Sequence, residues 1–246
     1  MQKAIVGRRR TEEREIYVFV PFESGYRDKV LAYLSRALGK KTTINSIKED
    51  LGLSYGYLHS TISKLHDDGI INIEEVGNYK LVSLNFRNML TIAELARISV
   101  KISQEVVKGS KKLKKLPELV ESLRRYKELL SIVLFGSQAR LQARETSDID
   151  LLVILSETSE NPGKFASVKK VHALRKTAAA TAIEAEIRSF SIKEFINIQH
   201  FVVDYEMFNR MLTSKEEINV GKEAVKDGIV LDGYENYWKM IGDILG

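Results

Sequence analysis

Residues 134–155, LFGSQARLQARETSDIDLLVIL, constrain the fold of this chain more than any other stretch. They place a Gly-Ser turn between two apolar runs, and the second run begins within Asp148-Ile149-Asp150. Residues two apart on a strand project from the same face, so the two carboxylates share one face while Ile149 points into the core. Like charges this close repel each other and resist burial, and a divalent metal is the obvious compensation. The stretch therefore predicts two neighbouring strands that carry a metal-binding pair of aspartates.

The composition is that of a soluble globular protein. A chain of 246 residues, 44% hydrophobic and 29% charged, can build one or two domains with their own cores. It contains no cysteine, which excludes disulfides and thiolate metal sites. No apolar run approaches the roughly 18 residues of a membrane span, and residues 1–15 lack the apolar core of a signal peptide. We therefore expect a cytoplasmic protein that has no membrane partner.

Positive charge is concentrated in the first half of the chain. Residues 1–125 carry 23 Lys+Arg and 15 Asp+Glu, whereas residues 126–246 carry 15 and 18. This asymmetry indicates two modules with different partners, and the basic half would attract phosphate backbones. The alternative is a solvated charged surface without a partner.

Residues 26–85 show a pattern of three short helices followed by a hairpin. Thr43 and Ser54 stand at helix N-cap positions, and Gly77-Asn78 marks a turn between two strands. This pattern resembles a winged helix-turn-helix domain, whose third helix enters the major groove of double-stranded DNA. The solvated face of a small helical domain and a protein-interaction module are the alternatives. The residues expected to contact DNA lie before the second helix, on the third helix and at the wing tip: Lys41, Tyr55, Tyr57, His59, Ser60, Ser63, Lys64, Tyr79 and Lys80.

A long helix with an apolar face is predicted between residues 88 and 107. It would bridge two domains or pair with its copy in a homodimer. Five lysines follow within residues 108–115, and they either contact phosphates or form a solvated linker. The predicted domains are a winged helix at 1–88, a bridging helix and linker at 89–116, and a catalytic-type domain at 117–246.

The back half of the chain alternates strand and helix patterns, which predicts an α/β fold with a mixed sheet. Buried strands are predicted at 131–137 and 149–155, a helix at 166–182 and a third strand at 183–191. Residues 192–200 are predicted to be helical, and a helix, a short strand and a closing helix follow. The expected fold class is therefore α+β in two domains, an N-terminal winged helix and a C-terminal α/β domain.

The residues around the Gly-Ser turn suit a nucleoside triphosphate with Mg²⁺. Gly136 lets the backbone approach a ligand closely, and Ser137 can donate a hydrogen bond to a phosphate oxygen at a helix N-terminus. Asp148 and Asp150 supply the hard oxygen ligands that Mg²⁺ prefers. A triphosphate beside two metal-binding carboxylates describes a site of nucleotidyl transfer.

The sequence LFGSQAR…SDIDLLVI resembles the Gly-Ser…Asp-x-Asp signature of the DNA polymerase beta-like nucleotidyltransferase superfamily. It looks closest to the minimal bacterial and archaeal members, and the resemblance covers about residues 117–195. It implies a reaction dependent on Mg²⁺ or Mn²⁺ that transfers a nucleoside monophosphate from a nucleoside triphosphate, expected to be ATP. Arg140 and Arg144 flank the site and could neutralise phosphate charge, or they could equally be exposed helix residues. Relatives often carry glycine in place of Leu141, and a larger residue there would tighten the turn or narrow the pocket.

The resemblance also implies a third carboxylate on a later strand, which helps bind the metal and serves as general base for the acceptor. On the predicted strand at 183–191, Glu184 and Glu186 share one face. Glu186 is the first choice for this catalytic and metal-binding role, and Glu184 is the second. Relatives usually carry aspartate here and some lack the carboxylate, so solvated glutamates on an edge strand are the alternative.

Two hypotheses about function follow. The first is a Mg²⁺-dependent nucleotidyltransferase that adds AMP to a protein or small acceptor and carries a DNA-binding winged helix. Minimal relatives often act as antitoxins that modify a toxin, so the resemblance implies a toxin-like protein acceptor. The second is a transcription regulator whose nucleotidyltransferase domain is an inactive nucleotide sensor or dimerisation module. Polynucleotide tailing is less favoured, because no acceptor-strand domain follows.

The third carboxylate separates the two hypotheses. A structure in which neither Glu184 nor Glu186 can reach a metal held by Asp148 and Asp150 would favour the regulator.

Overall fold

The computed structural model describes residues 5–6, 18–19, 25–156, 178–216 and 218–246. The elements of the first half are β1 (Ile5–Val6), β2 (Val18–Phe19), α1 (Tyr26–Arg36), β3 (Thr42–Thr43), α2 (Ile44–Leu51), α3 (Tyr55–Asp67), β4 (Ile71–Val76), β5 (Tyr79–Leu84) and α4 (Met89–Gly109). The remaining elements are a 3-10 turn (Leu113–Lys115), α5 (Leu116–Leu123), β6 (Leu129–Phe135), α6 (Gly136–Ala139), β7 (Ile149–Leu155), α7 (Ala178–Glu194), β8 (Ile198–Asp204), α8 (Tyr205–Thr213), α9 (Val220–Asp227), β9 (Ile229–Asp232) and α10 (Tyr234–Leu245).

The segment from α1 to β5 contains three helices and a three-stranded antiparallel sheet in the order β3-β5-β4. The predicted cap at Thr43 is confirmed, because its Oγ1 accepts a hydrogen bond from the Ser46 amide at 3.0 Å. Ser54 occupies the N-cap position of α3, but its side chain makes no capping hydrogen bond. The predicted hairpin forms between β4 and β5, with its turn at residues 77–78. These elements leave one face of α3 and the hairpin tip in solvent.

The predicted long helix is α4, and its apolar face is covered within the same chain. It packs against α1 on one side and against β9 and α10 on the other. Two polar contacts fix its position relative to α10: the Trp238 indole donates to Ser99 Oγ at 2.9 Å, and Ser103 bonds Tyr234 at 2.9 Å. The helix therefore joins the two parts of the chain through one continuous core, while the predicted homodimer stays a prediction.

The C-terminal half contains a four-stranded mixed sheet in the order β8-β7-β6-β9. The predicted strands β6 and β7 are confirmed; they pair antiparallel, and Phe135 at the end of β6 lies opposite Asp150 near the start of β7. Strand β8 runs parallel to β7, with Ile198 opposite Ile149. The end of β6 and the starts of β7 and β8 therefore meet at one edge of the sheet. None of the helices in the described part of the chain has an apolar stretch long enough to cross a bilayer.

The predicted third strand at 183–191 is wrong, because these residues belong to helix α7. Their buried positions, Ile183, Ile187 and Phe190, recur at helical spacing, and the alanines before them favour helix. The true neighbour of β7 is β8, which includes residues that had been predicted to be helical. A short run of alternating apolar residues fits both the two-residue period of a strand and the 3.6-residue period of a helix. Packing against the sheet decided between them. The part of the predicted helix at 166–177 lies outside the described residues.

Candidate nucleotide and metal site

The two aspartates of the Asp-x-Asp stretch lie at the sheet edge where three strands meet. Ile149 between them is fully buried, while Asp148 and Asp150 are half-buried and face the outside of the core. Because Asp150 lies opposite Phe135, the turn that follows β6 is brought directly over its carboxylate. The turn and the aspartates lie together, as the sequence pattern predicts, because β6 and β7 pair antiparallel.

Glycine at position 136 is required by this close approach. Gly136 has a φ of +71°, in the left-handed region that glycine adopts without strain. A Cβ at this position would overlap Oδ2 of Asp150 and lie 3.0 Å from its Cγ. The turn therefore lies against the carboxylate itself, so any group held by the turn would also be close to Asp150.

Asp148 is held by two side-chain amides, one from strand β8 beside it and one from the residue before that strand. Asn197 donates from Nδ2 to Oδ1 at 2.7 Å, and Gln199 donates from Nε2 to Oδ2 at 2.8 Å. The Asn197 carbonyl also accepts the Ile149 amide at 2.9 Å, which fixes the start of β7 against the segment that leads into β8. Both oxygens of Asp148 are thus satisfied by neutral donors that could turn to offer their own oxygens to a cation.

The surroundings of Asp150 shift the pKa of its carboxyl group. Burial raises the pKa of its carboxyl group, and the charges of Asp148 and Glu223 raise it further. The guanidinium of Arg140 acts in the opposite direction and lowers it. Arg140 is therefore close enough to the aspartates to share their field, which is consistent with the predicted phosphate-neutralising role.

A buried carboxylate, Asp227, lies behind Arg140. Asp227 is 7% exposed, and its Oδ2 lies 3.6 Å from Nη1 of Arg140. Arg36 of α1 also interacts with the charge of Asp227, and its guanidinium donates to the carbonyl of the next residue, Gly228. Burial lowers the pKa of Arg36, while the charge of Asp227 acts against that shift. Among the described residues Asp227 Oδ1 has no hydrogen-bond partner, so this carboxylate depends on the two guanidinium groups and connects α1 to the site.

The predicted third carboxylate does not join the aspartates. On helix α7, Glu184 and Glu186 are two positions apart, so they point in nearly opposite directions instead of sharing a face. Glu186 accepts hydrogen bonds from Tyr126, at 2.9 Å, and from Arg125. Glu184 lies 3.4 Å from Arg188 and lines a cleft of about 410 Å³ between α7 and β8. No three Asp, Glu, His or Cys side chains lie close enough to hold a metal within the described ranges.

The other residues predicted around the turn have different surroundings. Ser137 is half-buried in the first turn of α6, and Arg144 is exposed with its backbone amide bonded to Ser147 Oγ at 2.8 Å. Leu141 adopts a φ of +57°, a conformation that glycine takes more easily, which explains physically why glycine suits this position. Lys112 Nζ donates to the Ser147 carbonyl at 2.9 Å, one residue before Asp148. At least one linker lysine thus contacts the residue that precedes Asp148.

The nine residues predicted to contact DNA are all exposed. They include Tyr55, Tyr57 and Tyr79, which are 52%, 70% and 63% exposed. Two of the lysines have acidic partners, since Lys41 pairs with Glu74 and Lys80 lies 3.3 Å from Glu75. Residues 25–88 carry nine Lys+Arg and seven Asp+Glu, whereas residues 89–125 carry nine and four. The positive excess of the first half therefore lies mainly on α4, the lysine linker and α5 and not on α3 or the hairpin.

Comparison with known proteins gives a family match within the second part of the chain. Residues 117–218 match the family model of the polymerase beta nucleotidyltransferase domain. The match includes the Gly-Ser turn, both aspartates and strand β8, so it supports the resemblance for this part of the chain and indicates nucleotidyl transfer in general terms. A 1.40 Å crystal structure from Sulfolobus solfataricus, of a protein provisionally assigned as a nucleotidyltransferase, is 22% identical. It covers 52% of this chain and 84% of its own, with a TM-score of 0.26. No protein with a curated description matches the chain.

Sequence reasoning missed three residues that surround the aspartates and Arg140. Asn197 and Gln199 went unnoticed because β8 was not recognised, although its valines and Phe201 are typical of a strand. Asp227 precedes a glycine near the end of α9, and nothing in its local sequence marks it as buried. Its role depends on Arg36 and Arg140, which are distant in the chain.

Substitution of Gly136 by alanine tests the close approach. We expect Gly136→Ala to destabilise the fold by about 2–3 kcal/mol, because backbone strain is added to a collision with Asp150. Gly77→Ala is the matched control, since Gly77 has a φ of +58° but open space around its Cβ. It should cost only about 1 kcal/mol in urea unfolding. Equal costs for the two variants would show that the contact with Asp150 is not made.

Replacing each aspartate by asparagine tests the charge repulsion. Asp150→Asn removes the strained charge and should raise the free energy of unfolding, without divalent ions, by on the order of 0.5–1 kcal/mol. Asp148→Asn disturbs the hydrogen bonds from Asn197 and Gln199 and should lower it by about 1 kcal/mol. Urea unfolding in EDTA measures both. A fall in stability for Asp150→Asn would contradict the assigned electrostatics.

Proposed function

We propose that the protein binds a nucleoside triphosphate together with a divalent cation at Asp148 and Asp150, and transfers its nucleotidyl group to an acceptor. The observation that carries this proposal is the packing of the Gly136 turn on the Asp150 carboxylate. A phosphate group on the turn and a cation on the aspartates would then be neighbours. The family match over residues 117–218 supports transfer of a nucleoside monophosphate as the reaction class, and ATP is the expected substrate.

The side chains present fit a hard divalent cation such as Mg²⁺ or Mn²⁺. Asp148 and Asp150 offer carboxylate oxygens, and Asn197 and Gln199 could rotate their amides to offer neutral oxygens. Burial raises the pKa of Asp150, and the charges of Asp148 and Glu223 raise it further, so a bound cation would offset part of this effect. When bound, the cation would neutralise charge on the triphosphate and lower the pKa of an acceptor hydroxyl. Two carboxylates instead of three predict weaker cation binding than a complete triad would give.

The roles of the chain's own residues follow from the geometry. Ser137 and Arg140 would position the triphosphate, and Asp227 keeps Arg140 in place. The acceptor oxygen would form a bond to the α-phosphorus while the bond to pyrophosphate breaks, and pyrophosphate leaves. The described residues provide no third carboxylate to take the acceptor proton, so that proton would pass to solvent. The toxin-like protein acceptor remains a proposal that rests on resemblance.

Placing a third carboxylate at or just before the start of β8 provides the sharpest test. Full-length protein is incubated with α-labelled ATP, Mg²⁺ and a cell lysate, and covalent label is measured. We expect label with the wild type and none with Asp148→Ala plus Asp150→Ala. Gln199→Asp or Asn197→Asp should increase both label and Mn²⁺ affinity about tenfold, the scale of one added charge–charge contact near the surface.

Glu186→Gln is the matched control for these variants. Because Glu186 is bound to Tyr126 and Arg125, its substitution should leave Mn²⁺ affinity unchanged. A large loss of affinity in this variant would restore the original prediction that Glu186 is a metal ligand. Absence of label in the wild type and in both restored variants would contradict nucleotidyl transfer.

The second candidate is a transcription regulator that senses nucleotide without transferring it. The observation that favours it is that, among the described residues, neither Glu184 nor Glu186 forms a metal-binding group of three with the aspartates. In this proposal the segment from α1 to β5 is a winged helix that binds double-stranded DNA through α3 and the hairpin. Arg36, Asp227 and Arg140 would then link nucleotide binding to the position of α1, because all three lie in one electrostatic chain.

Duplex binding tests the winged helix directly. If Lys64 contacts a phosphate, Lys64→Ala should weaken binding to duplex DNA and reduce the slope of log affinity against log salt concentration by about 1. Lys80→Ala should have the smaller effect, since Lys80 is already paired with Glu75. The control is Lys239→Ala on α10, which removes the same charge from another surface. Fluorescence anisotropy at several salt concentrations measures all three, and unchanged binding in the first two would rule out this surface.

A further inference from the structure

Helix α9 packs on the face of the sheet that carries Asp150. Gly228, directly after the helix, lies so close to β6 that a Cβ there would be 2.7 Å from Cγ1 of Val133. Val133 is two residues before Phe135, which lies opposite Asp150, so these three side chains share one face of the sheet. The helix also packs against β7 and against α6, the short helix at the glycine turn. Side chains on the inner side of α9 are therefore neighbours of the site.

Two acidic residues on α9 differ in their surroundings. Glu223 and Asp227 are one helical turn apart, so their side chains lie on the same side of the helix. Asp227 is buried, its Oδ2 lies 3.6 Å from Nη1 of Arg140, and it also interacts with the charge of Arg36. Glu223 is half-buried, and in the part of the chain that the structure describes its carboxylate has no ion-pair partner. Of the two carboxylates, only that of Asp227 has cationic partners there.

The charge of Glu223 acts on the aspartate pair. Burial has the largest effect in raising the pKa of the Asp150 carboxyl group, the charge of Asp148 raises it further, and the charge of Glu223 adds to both. A third negative charge beside two others destabilises the protein as long as no cation is bound, because like charges repel. A bound divalent cation reverses the sign of this effect, since each carboxylate then attracts it.

The geometry excludes Glu223 as a third direct ligand. No three Asp, Glu, His or Cys side chains of the described residues lie close enough together to hold a metal. Mg²⁺, however, usually keeps several of its water molecules when a protein binds it through one or two carboxylates. A carboxylate beyond ligand distance can accept hydrogen bonds from those water molecules, and such contacts orient and strengthen a metal site.

We propose that Glu223 completes the cation site from α9 by holding the hydrated cation through its coordinated water. It takes the place of the third carboxylate that was predicted on a later strand. This inference rests on the proposed cation binding at Asp148 and Asp150. One side of α9 then serves both parts of the site, since Asp227 holds Arg140 on the phosphate side and Glu223 attracts the cation.

Mn²⁺ affinity and stability, measured on the full-length protein, test this role together. Glu223→Gln keeps the size of the side chain and removes its charge. We expect Mn²⁺ to bind about tenfold more weakly, the low end of the range for groups that act on a metal through its ligands. In EDTA the same variant should unfold at an equal or higher urea concentration, because a repulsive charge is gone. A purely structural role would not weaken cation binding without a loss of stability. Electron paramagnetic resonance of free Mn²⁺ measures the affinity.

Glu235→Gln is the matched control. Glu235 also lies in the first turn of a helix, α10, but it is exposed and follows the end of β9 that runs away from the site. Its substitution should leave Mn²⁺ affinity unchanged. Glu223→Asp retains the charge and should bind Mn²⁺ within about threefold of the wild type, because attraction through water depends on charge more than on exact length. The number of water molecules on bound Mn²⁺, from water-proton relaxation, should be the same in the wild type and Glu223→Gln.

Two results would overturn the inference: unchanged Mn²⁺ affinity in Glu223→Gln, or weaker binding accompanied by a lower urea midpoint in EDTA. A gain of about one coordinated water in this variant would show direct ligation and overturn the contact through water. Mn²⁺ binding that is lost in Asp148→Ala plus Asp150→Ala but unchanged in Glu223→Gln contradicts this inference alone. A wild type that binds no Mn²⁺ contradicts the proposed cation site as well, whereas absence of label with the expected Mn²⁺ affinities contradicts only nucleotidyl transfer.

Discussion

The repulsion between Asp148 and Asp150 is the interaction on which the rest of the site depends. Two carboxylates on one strand face cannot stay there unless their surroundings supply donors or positive charge. The structure supplies both, with the amides of Asn197 and Gln199 at Asp148 and the guanidinium of Arg140 near Asp150. Burial, and after it the charge of Asp148, still raises the pKa of Asp150. A cation bound by both carboxylates would relieve this repulsion.

The charge of the site is also coupled to the first part of the chain. Asp227 is shared between Arg140 at the site and Arg36 on α1, and α4 packs on both halves. A ligand that drew Arg140 away would leave Asp227 to Arg36 alone. The same contacts are therefore compatible with two functions. One is an enzyme regulated by its N-terminal part, and the other is a regulator that responds to nucleotide binding. The absence of a third direct carboxylate ligand from the described residues leaves room for both, because cation binding and catalysis have different charge requirements.

Local patterns predicted much of the fold correctly. Strands β6 and β7 and helices α4, α8 and α10 were recognisable because their periods are long or their apolar runs unambiguous. The failure came at 183–200, where helix and strand were exchanged. In that region Ile183 and Ile187 fit a strand by alternation and a helix by a spacing of four, so the sequence alone could not separate them. Their burial against neighbouring elements made the choice.

The sequence by itself determined the pair of aspartates and the glycine turn. It also placed both at the same end of two neighbouring strands, since all of these features follow from residues close together in the chain. Only the tertiary structure decided what surrounds them. Parallel pairing of β8 with β7 brought amides, not a glutamate, to Asp148, and the packing of α9 and α1 brought Asp227 behind Arg140. The physical reason is that charge compensation acts through space between distant segments, and no local pattern records which segments will be neighbours.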